Sequence, residues 1–303
     1  RSADSERLLS RISSEFIKLD IKDTDSGIDR ALEALGELEG VDRSYVCLIS
    51  QDEKSIPNTH EWCRQGIEPQ IDLIKDRSVA LFGWTLNNIM KQRETVIDNV
   101  DEMPPEAETE QKEFRRQGNK SMVVTPLVSG ETVLGLIGFD SVRVLRKWSQ
   151  DEITLLQLVG DTIANALVRK RVEQALRDSE ERFREMAEML PQSLLETDLN
   201  GVVTYHNRNA VAQLGYSPED LRQDFKVLNL VVPEQYEEAL DYQERLLKGE
   251  YFGLKEFSYR RKDGSTFPGL VNSVPLWENG VTTGARAVIV DISERQQLEE
   301  ERR

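Results

Sequence analysis

The chain has 303 residues, 38% hydrophobic and 31% charged, with a net charge of −16. Duplex nucleic acid and anionic membrane surfaces both need clustered Lys and Arg, so neither is expected as a partner. No run approaches the ~20 apolar residues of a membrane span. The two cysteines, Cys47 and Cys63, lack metal-type spacing and fit a reducing cytoplasm. The length predicts two domains of about 150 residues, and a chain beginning at Arg1 without Met is expected to be a piece of a longer protein.

Leu8, Leu9, Ile12, Phe16 and Leu19 recur at helical spacing and predict an opening amphipathic helix. A second helix follows, with Ser26 as N-cap, Ile28, Leu32, Leu35 and Leu38 on one face, and Gly40 as its stop. The period then drops to two over residues 45–50 and, after a Pro-Asn turn, over 59–64, which predicts a hairpin. Residues 77–93 predict a helix and 94–97 a short strand. Acidic 98–113, with Met103-Pro104-Pro105 inside it, predicts a loop and a surface helix. Strands over 121–128 and 133–140 are separated by Ser129-Gly130-Glu131, a second hairpin signal.

Within these segments stand Glu61-Trp62-Cys63 with Gly66-Ile67-Glu68-Pro69, then Thr125-Pro126-Leu127 and Leu136-Ile137-Gly138-Phe139-Asp140-Ser141. Trp148-Ser149 precedes Glu152-Ile153-Thr154-Leu155-Leu156. Residues 1–168 resemble a GAF sensory domain of prokaryotic signalling proteins on these motifs. The resemblance implies an antiparallel sheet flanked by helices and a pocket in which Trp62, Cys63, Phe82, Trp84, Phe139 and Asp140 are the candidate lining residues. Aromatics at such spacing are more often core. The cyclic-nucleotide signature of the family is not reproduced: Asn119-Lys120 and Phe139 occur, but Arg143 stands where the later acid belongs.

From Ser149, an expected N-cap, helical periodicity runs through Leu156, Val159, Ile163 and Leu167 to Val172, Leu176, Ser179, Phe183, Met186 and Leu190. The later positions step alternately by four and three, the spacing of a coiled coil. A helix of this length reaches roughly 60 Å. Residues 169–190 are accordingly a helical linker. Its stripe suits a parallel homodimer seam, or else its first half packs on its own sheet and its second half caps the next domain.

Ser179-Glu180-Glu181-Arg182-Phe183-Arg184 leads to Pro191, where the helical pattern ends. Strands at 194–198 and 202–205 flank Leu199-Asn200-Gly201, a strong hairpin signal. Asn207, Ala210, Leu214, Gly215-Tyr216-Ser217, Glu219 and Leu221 follow, then a helix over 234–247 and strands over 252–261, 267–277 and 281–292, with Lys262-Asp263-Gly264-Ser265 as a turn. Residues 191–295 resemble a PAS sensory domain along this whole length. The closing Asp291-Ile292-Ser293-Glu294-Arg295 resembles the Asp-Ile-Thr-Glu-Arg junction of that family, with Ser293 keeping a hydroxyl able to cap a helix. Residues 296–303 then begin an outgoing helix. The fold class is α+β: two domains, each an antiparallel sheet flanked by helices, joined by a long helix.

Chemistry has few carriers. His60 and His206 are the two histidines, and a separation of three places His60 and Cys63 on opposite faces of a strand. No Walker loop or dinucleotide glycine pattern occurs. The second domain has no Cys for flavin photochemistry of the light-sensing type and no His on its long helix, so flavin and haem are disfavoured and the ligand stays unknown. Asn207, Tyr242, Tyr259 and Asn272 are candidate polar residues of its pocket, or else partners of buried backbone. Asp291, Ile292 and Arg295 are candidates for signal transmission, a pair or cap there being worth about 0.3–1 kcal/mol. The resemblances imply a cytoplasmic, non-catalytic sensory fragment of a homodimer. It binds a small molecule and signals to a histidine kinase, as in two-component systems, or to a diguanylate cyclase. No catalytic or metal-ligating residue is assigned. The rival readings are a redox enzyme of the GAF sulfoxide-reductase type using Cys63, and a purely structural dimerisation scaffold.

Overall fold

Leu8, Ile12 and Phe16 share one face of α1 (Ser2–Lys18) and are buried with Ile28, Leu32 and Leu35 of α2 (Thr24–Glu39). The computed structural model describes residues 2–50, 54–72, 79–222 and 224–302, which divide into two units, Arg1–Leu176 and Arg177–Arg303. Helix α2 starts two residues before the expected cap: Ser26 Oγ donates to the Asp23 carbonyl at 2.8 Å from inside the first turn. It ends, as expected, at Gly40, whose φ of +68° a side chain would resist.

The first sheet comprises β1 (Arg43–Leu48), β2 (Asn58–Cys63), β3 (Thr95–Ile97), β4 (Ser121–Ser129) and β5 (Thr132–Ser141), in the antiparallel order β2-β1-β5-β4-β3. Between β2 and β3 lies α3 (Gly83–Met90), preceded by a 3₁₀ turn at Val79–Phe82; positions 77 and 78 of the expected helix lie outside the described residues. Between β3 and β4, α4 (Glu108–Arg116) is the surface helix of the acidic stretch. Both faces of the sheet are covered. Val46, Val123, Ile137 and Phe139 pack with α1, α2 and Leu156, Val159 and Ile163 of α5 (Gln150–Met189). Tyr45, Cys47, Met122, Val124 and Leu136 pack with α3 and α4 through Leu86, Ile89 and Phe114.

Ser149 caps α5 reciprocally: its N–H donates to Glu152 Oε2 at 2.7 Å while its Oγ accepts the Glu152 N–H at 3.3 Å. The first half of α5 is core. Beyond Leu167 the stripe surfaces, and Val172, Leu176 and Met186 are each more than half exposed.

In the second unit β6 (Ser193–Asp198) and β7 (Val203–His206) form the expected hairpin, with Gly201 at φ +76° in its turn. Then come α6 (Arg208–Leu214), α7 (Pro218–Arg222), α8 (Tyr236–Leu247), β8 (Leu254–Arg260), β9 (Thr266–Glu278), β10 (Val281–Asp291) and α9 (Ser293–Glu301). The sheet order is β7-β6-β10-β9-β8, again antiparallel, and its inner face buries Leu195, Phe257, Val271 and Ile289 with Tyr242 and Leu246 of α8. Helix α9 buries nothing.

Gly36 of α2 lies so close to β2 that an added Cβ meets the Trp62 ring at 2.2 Å. Gly36→Ala is therefore expected to overpack the first core and cost about 1–3 kcal/mol. The check is the urea midpoint followed by tryptophan fluorescence; an unchanged midpoint shows that the helix can move away from the ring.

Candidate functional site

Along β1, Arg43, Tyr45 and Cys47 turn to the face covered by α3 and α4, and the register sets them opposite Asp140, Gly138 and Leu136 of β5. Tyr45 also stands opposite Glu61 of β2. Polar groups thereby enter an otherwise apolar layer, around a cavity of about 60 Å³. Tyr45, Asn58, Glu61, Gln70 and Asp140 supply polar lining, and Phe82, Leu86, Phe114 and Leu136 apolar lining. Gly138 makes room for this: a Cβ there meets the Tyr45 hydroxyl at 2.7 Å.

Arg43 is fully buried and held on several sides. Its Nε donates to the Glu68 carbonyl at 3.1 Å, Nη1 to Asn119 Oδ1 at 2.9 Å and Nη2 to the Gln117 carbonyl at 3.2 Å, while Nη1 stands 3.5 Å from Asp140 Oδ2. Burial pushes the Asp140 carboxyl up to about 6; Arg43 and the Tyr45 hydroxyl pull it down and Glu61 pushes it further up. Burial raises Glu61 as well, although its Oε2 accepts the N–H groups of Gln70 at 2.7 Å and Ile71 at 2.9 Å. Asn58 lies beside that carboxylate, yet among the described residues neither of its amide atoms reaches a partner in hydrogen-bonding geometry. Glu110 of α4 acts structurally. Its carboxylate accepts the Trp84 N–H at 2.5 Å and the Thr85 hydroxyl at 2.5 Å, which holds the start of α3 over the cavity.

Of the six residues expected in this pocket, Phe82 and Asp140 line it. Trp62 and Phe139 do not. The pleat sends each to the face opposite its neighbour, Trp62 beneath Gly36 and Phe139 against Trp148 with ring centroids 6.2 Å apart. Trp84 packs beside the cavity wall without lining it. Cys63 is on the cavity face opposite Arg43, also outside the lining, and burial followed by the Glu61 charge pushes its thiol up to about 12. A thiol so raised is a poor nucleophile. Cys47 pairs with Asn58 and Cys63 with Arg43, four residues along β1 and about 13 Å away, beyond disulfide reach. His60 faces the other way, its Nε2 3.5 Å from Asp25 Oδ1. Sequence reasoning missed Arg43, Tyr45, Asn58, Glu61 and Gln70; for Arg43 and Tyr45 the signal was their place at alternate positions of a strand that also carries Val46 and Leu48, while Gln70 lies outside the strands and had none.

The second unit holds a cavity of about 70 Å³ between its sheet and α8. Leu228, Leu246, Val271 and Ala285 line it, with Thr197, Ser273, Tyr242 and Tyr259, and no charged side chain takes part. The Tyr242 hydroxyl and Gln243 Oε1 have no hydrogen-bond partner among the described residues. Tyr242 and Tyr259 thus stand where the sequence put them. Asn207 and Asn272 do not. Asn272 is exposed on the far face of β9, where it accepts from the Tyr251 hydroxyl at 3.4 Å. Asn207 is fully buried and saturated: its Oδ1 accepts the N–H groups of Leu194 and Ala210, both at 3.0 Å, and its Nδ2 donates to the carbonyls of Ala187 and Gln192, both at 2.9 Å. It ties the end of α5 to the start of β6 and caps α6.

At the other end, Asp291 is the last residue of β10 and pairs with Arg261 Nη2 at 3.0 Å, not with Arg295. Arg295 points along α9 and donates to Glu299 Oε1 at 3.0 Å. Asp291 Oδ1 also accepts the Ser293 N–H at 2.9 Å and hydroxyl at 2.5 Å, so Ser293 does not itself cap α9. Ile292 is buried and its N–H donates to the Pro268 carbonyl at 3.0 Å. Arg261 in turn donates from Nε to the Gln213 carbonyl at 2.9 Å and lies over the Phe267 ring. Among the described residues no group of three His, Cys, Asp or Glu can hold a metal, and no helix is long and apolar enough to cross a membrane.

A family model of the GAF domain matches residues 23–167, and one of the PAS domain residues 191–294. A curated relative, the methanogenesis regulatory histidine kinase FilI of Methanothrix harundinacea, is 28% identical over 171 residues, 55% of this chain and 19% of the relative. The chain thus spans well under a quarter of that kinase's length. Among solved structures, a phycocyanobilin-bound GAF domain from a cyanobacterial phytochrome is 20% identical with a TM-score of 0.49, covering 56% of this chain and 96% of that one. A PAS domain from Colwellia psychrerythraea is 23% identical with a TM-score of 0.36, covering 38% and 98%.

A carboxyl whose folded pKa lies above its unfolded value binds more protons folded than unfolded across that interval, so folding weakens as pH rises through it. For Asp140 the interval runs from the model-peptide range near 4 up to about 6. Asp140→Asn is expected to gain in Tm relative to the parent chain between pH 4 and pH 7, by several degrees. Thermal melts across that range check it; parallel curves for the two proteins exclude a raised Asp140.

Proposed function

We propose that this chain, a GAF domain followed by a PAS domain, is the sensory segment of a cytoplasmic homodimer that binds small molecules in its two cavities and passes the signal through α5 and α9 to an output module. The observation that carries this reading is α5 itself. Its first half is part of the GAF core through Leu156, Val159 and Ile163, and its last turn is hydrogen-bonded by Asn207 to the first PAS strand. A shift of the GAF sheet therefore has a continuous backbone path into the PAS domain. The exit is the Arg261–Asp291 pair at the start of α9.

The output is read as a histidine kinase, supported by the likeness to FilI, with a diguanylate cyclase as the other candidate. This segment is read as having no catalysis of its own: Cys63, on which a sulfoxide-reductase mechanism depends, is a raised thiol far along the sheet from Cys47. An inert scaffold has no use for buried, unpartnered polar atoms such as those of Asn58 and the Tyr242 hydroxyl. Cavities of about 60 and 70 Å³ suit a few heavy atoms, since one water takes ~10–15 Å³ of such space.

Dimerisation follows from the exposed stripe. Val172, Leu176, Ser179, Phe183 and Met186 step by four and three, and burying each large one against a second copy is worth about 1.5–3 kcal/mol. Phe183 is already partly engaged, by the Tyr205 ring at 6.3 Å and the Arg286 guanidinium at 4.8 Å.

Light scattering on the eluting peak is expected to give a dimer for the parent chain and a monomer for Val172→Glu/Leu176→Glu with unchanged circular dichroism. A monomeric parent at tens of micromolar rejects the seam. Native mass spectrometry of protein from its own host is expected to show a small bound mass, and its absence at both cavities counts against a ligand sensor.

A further inference from the structure

The GAF cavity has a donor and acceptor balance that selects among ligands. Asn58 is 3%, Gln70 5% and Asp140 3% exposed, and all three line the cavity. Their atoms without a hydrogen-bond partner among the described residues are Asp140 Oδ1, Gln70 Oε1, and Asn58 Oδ1 and Nδ2. That is three acceptors against one donor, each of them costly to leave dry. Two carboxylates, Asp140 and Glu61, line the space, and among the described residues no Arg, Lys or His does. Arg43 offsets part of this charge from behind Asp140, but its hydrogen bonds go to Glu68, Asn119 and Gln117 and it does not line the space, so the lining keeps a negative balance. The remaining lining is mostly apolar, from Tyr45, Ile56, Phe82, Leu86, Phe114 and Leu136 among others, with Thr85 and Gln117 as further neutral polar residues.

An anion meets two carboxylates here, and a neutral alcohol brings a single donor to three acceptors. A primary ammonium brings three N–H donors and a positive charge in a compact head. The net charge of −16 draws cations to the molecule. We propose that the GAF cavity takes a small aliphatic primary ammonium, its head among Asp140, Glu61 and Gln70 and its short tail against Phe82, Leu86 and Leu136. This inference rests on the reading of the cavity as a ligand site. The volume of about 60 Å³ limits the ligand to about four to six heavy atoms, on a scale where one water takes ~10–15 Å³.

Four probes of similar size separate the contributions: butylammonium, 1-butanol, butanoate and tetramethylammonium, titrated into the whole chain by calorimetry and ligand-detected NMR. Butylammonium is expected to bind at least tenfold more tightly than 1-butanol, tetramethylammonium to bind weakly for want of N–H donors, and butanoate not at all. Asp140→Asn and Glu61→Gln are each expected to weaken butylammonium at least tenfold and 1-butanol no more than about threefold, the retained alcohol showing that the cavity survives the substitution. Equal binding of butanol or butanoate, or variants that retain ammonium binding, overturns the cation assignment and leaves the cavity as a ligand site. If no probe binds, both the assignment and the reading of the cavity as a ligand site fall.

Discussion

The two-residue period of β5, buried on both faces, is the constraint on which the GAF unit depends. Ile137 and Phe139 go into the helical layer made by α1, α2 and α5, while Leu136 and Asp140 go to the cavity. A strand buried on both sides has no spare face for a charge, so Asp140 enters a dry layer and needs Arg43 beside it. Desolvating two ions is costly, and their attraction offsets it only when the remaining hydrogen bonds are made. Arg43 has them, from two backbone carbonyls and Asn119. Asp140 is left with one oxygen without a partner among the described residues, and that asymmetry is what the proposed ligand reading builds on.

The two cavities are built alike and differ in what they offer. Each lies between a five-stranded antiparallel sheet and its covering helices, and each is close to 65 Å³, being about 60 in one and about 70 in the other. The GAF lining carries two carboxylates. The PAS lining carries only hydroxyls and amides, with the Tyr242 hydroxyl among aromatic neighbours at Phe252 and Phe257. A neutral cavity suits an uncharged guest, since a charge placed there finds no counter-ion.

The contacts at the two junctions are weak enough to switch. Each neutral hydrogen bond of Asn207 is worth about 0.5–1.5 kcal/mol net, and the partly exposed Arg261–Asp291 pair no more than about 1 kcal/mol. Those magnitudes are comparable to what a small ligand supplies as differential affinity between two conformations. The cores that hold these contacts are far more costly to disturb than the junctions.

Element type and order were legible in the sequence: the three predicted hairpins, the long helix from its Ser149 cap, and the two-domain plan follow from periodicity, glycine at positive φ and capping chemistry, all local properties. So were Phe82, Asp140, Tyr242 and Tyr259 as cavity residues. Periodicity also says that Trp62 opposes Cys63 and Phe139 opposes Asp140, but where both faces are apolar it cannot say which one encloses a cavity. Asn207 had the composition of a ligand contact and proved to be a saturated structural tie, because its four partners come from segments that meet only in the folded chain. Arg261, 30 residues from Asp291, took the place expected of Arg295 for the same reason. Short-range patterning determined what each segment is; pairing across long separations, which only the tertiary structure makes, decided what each polar side chain does.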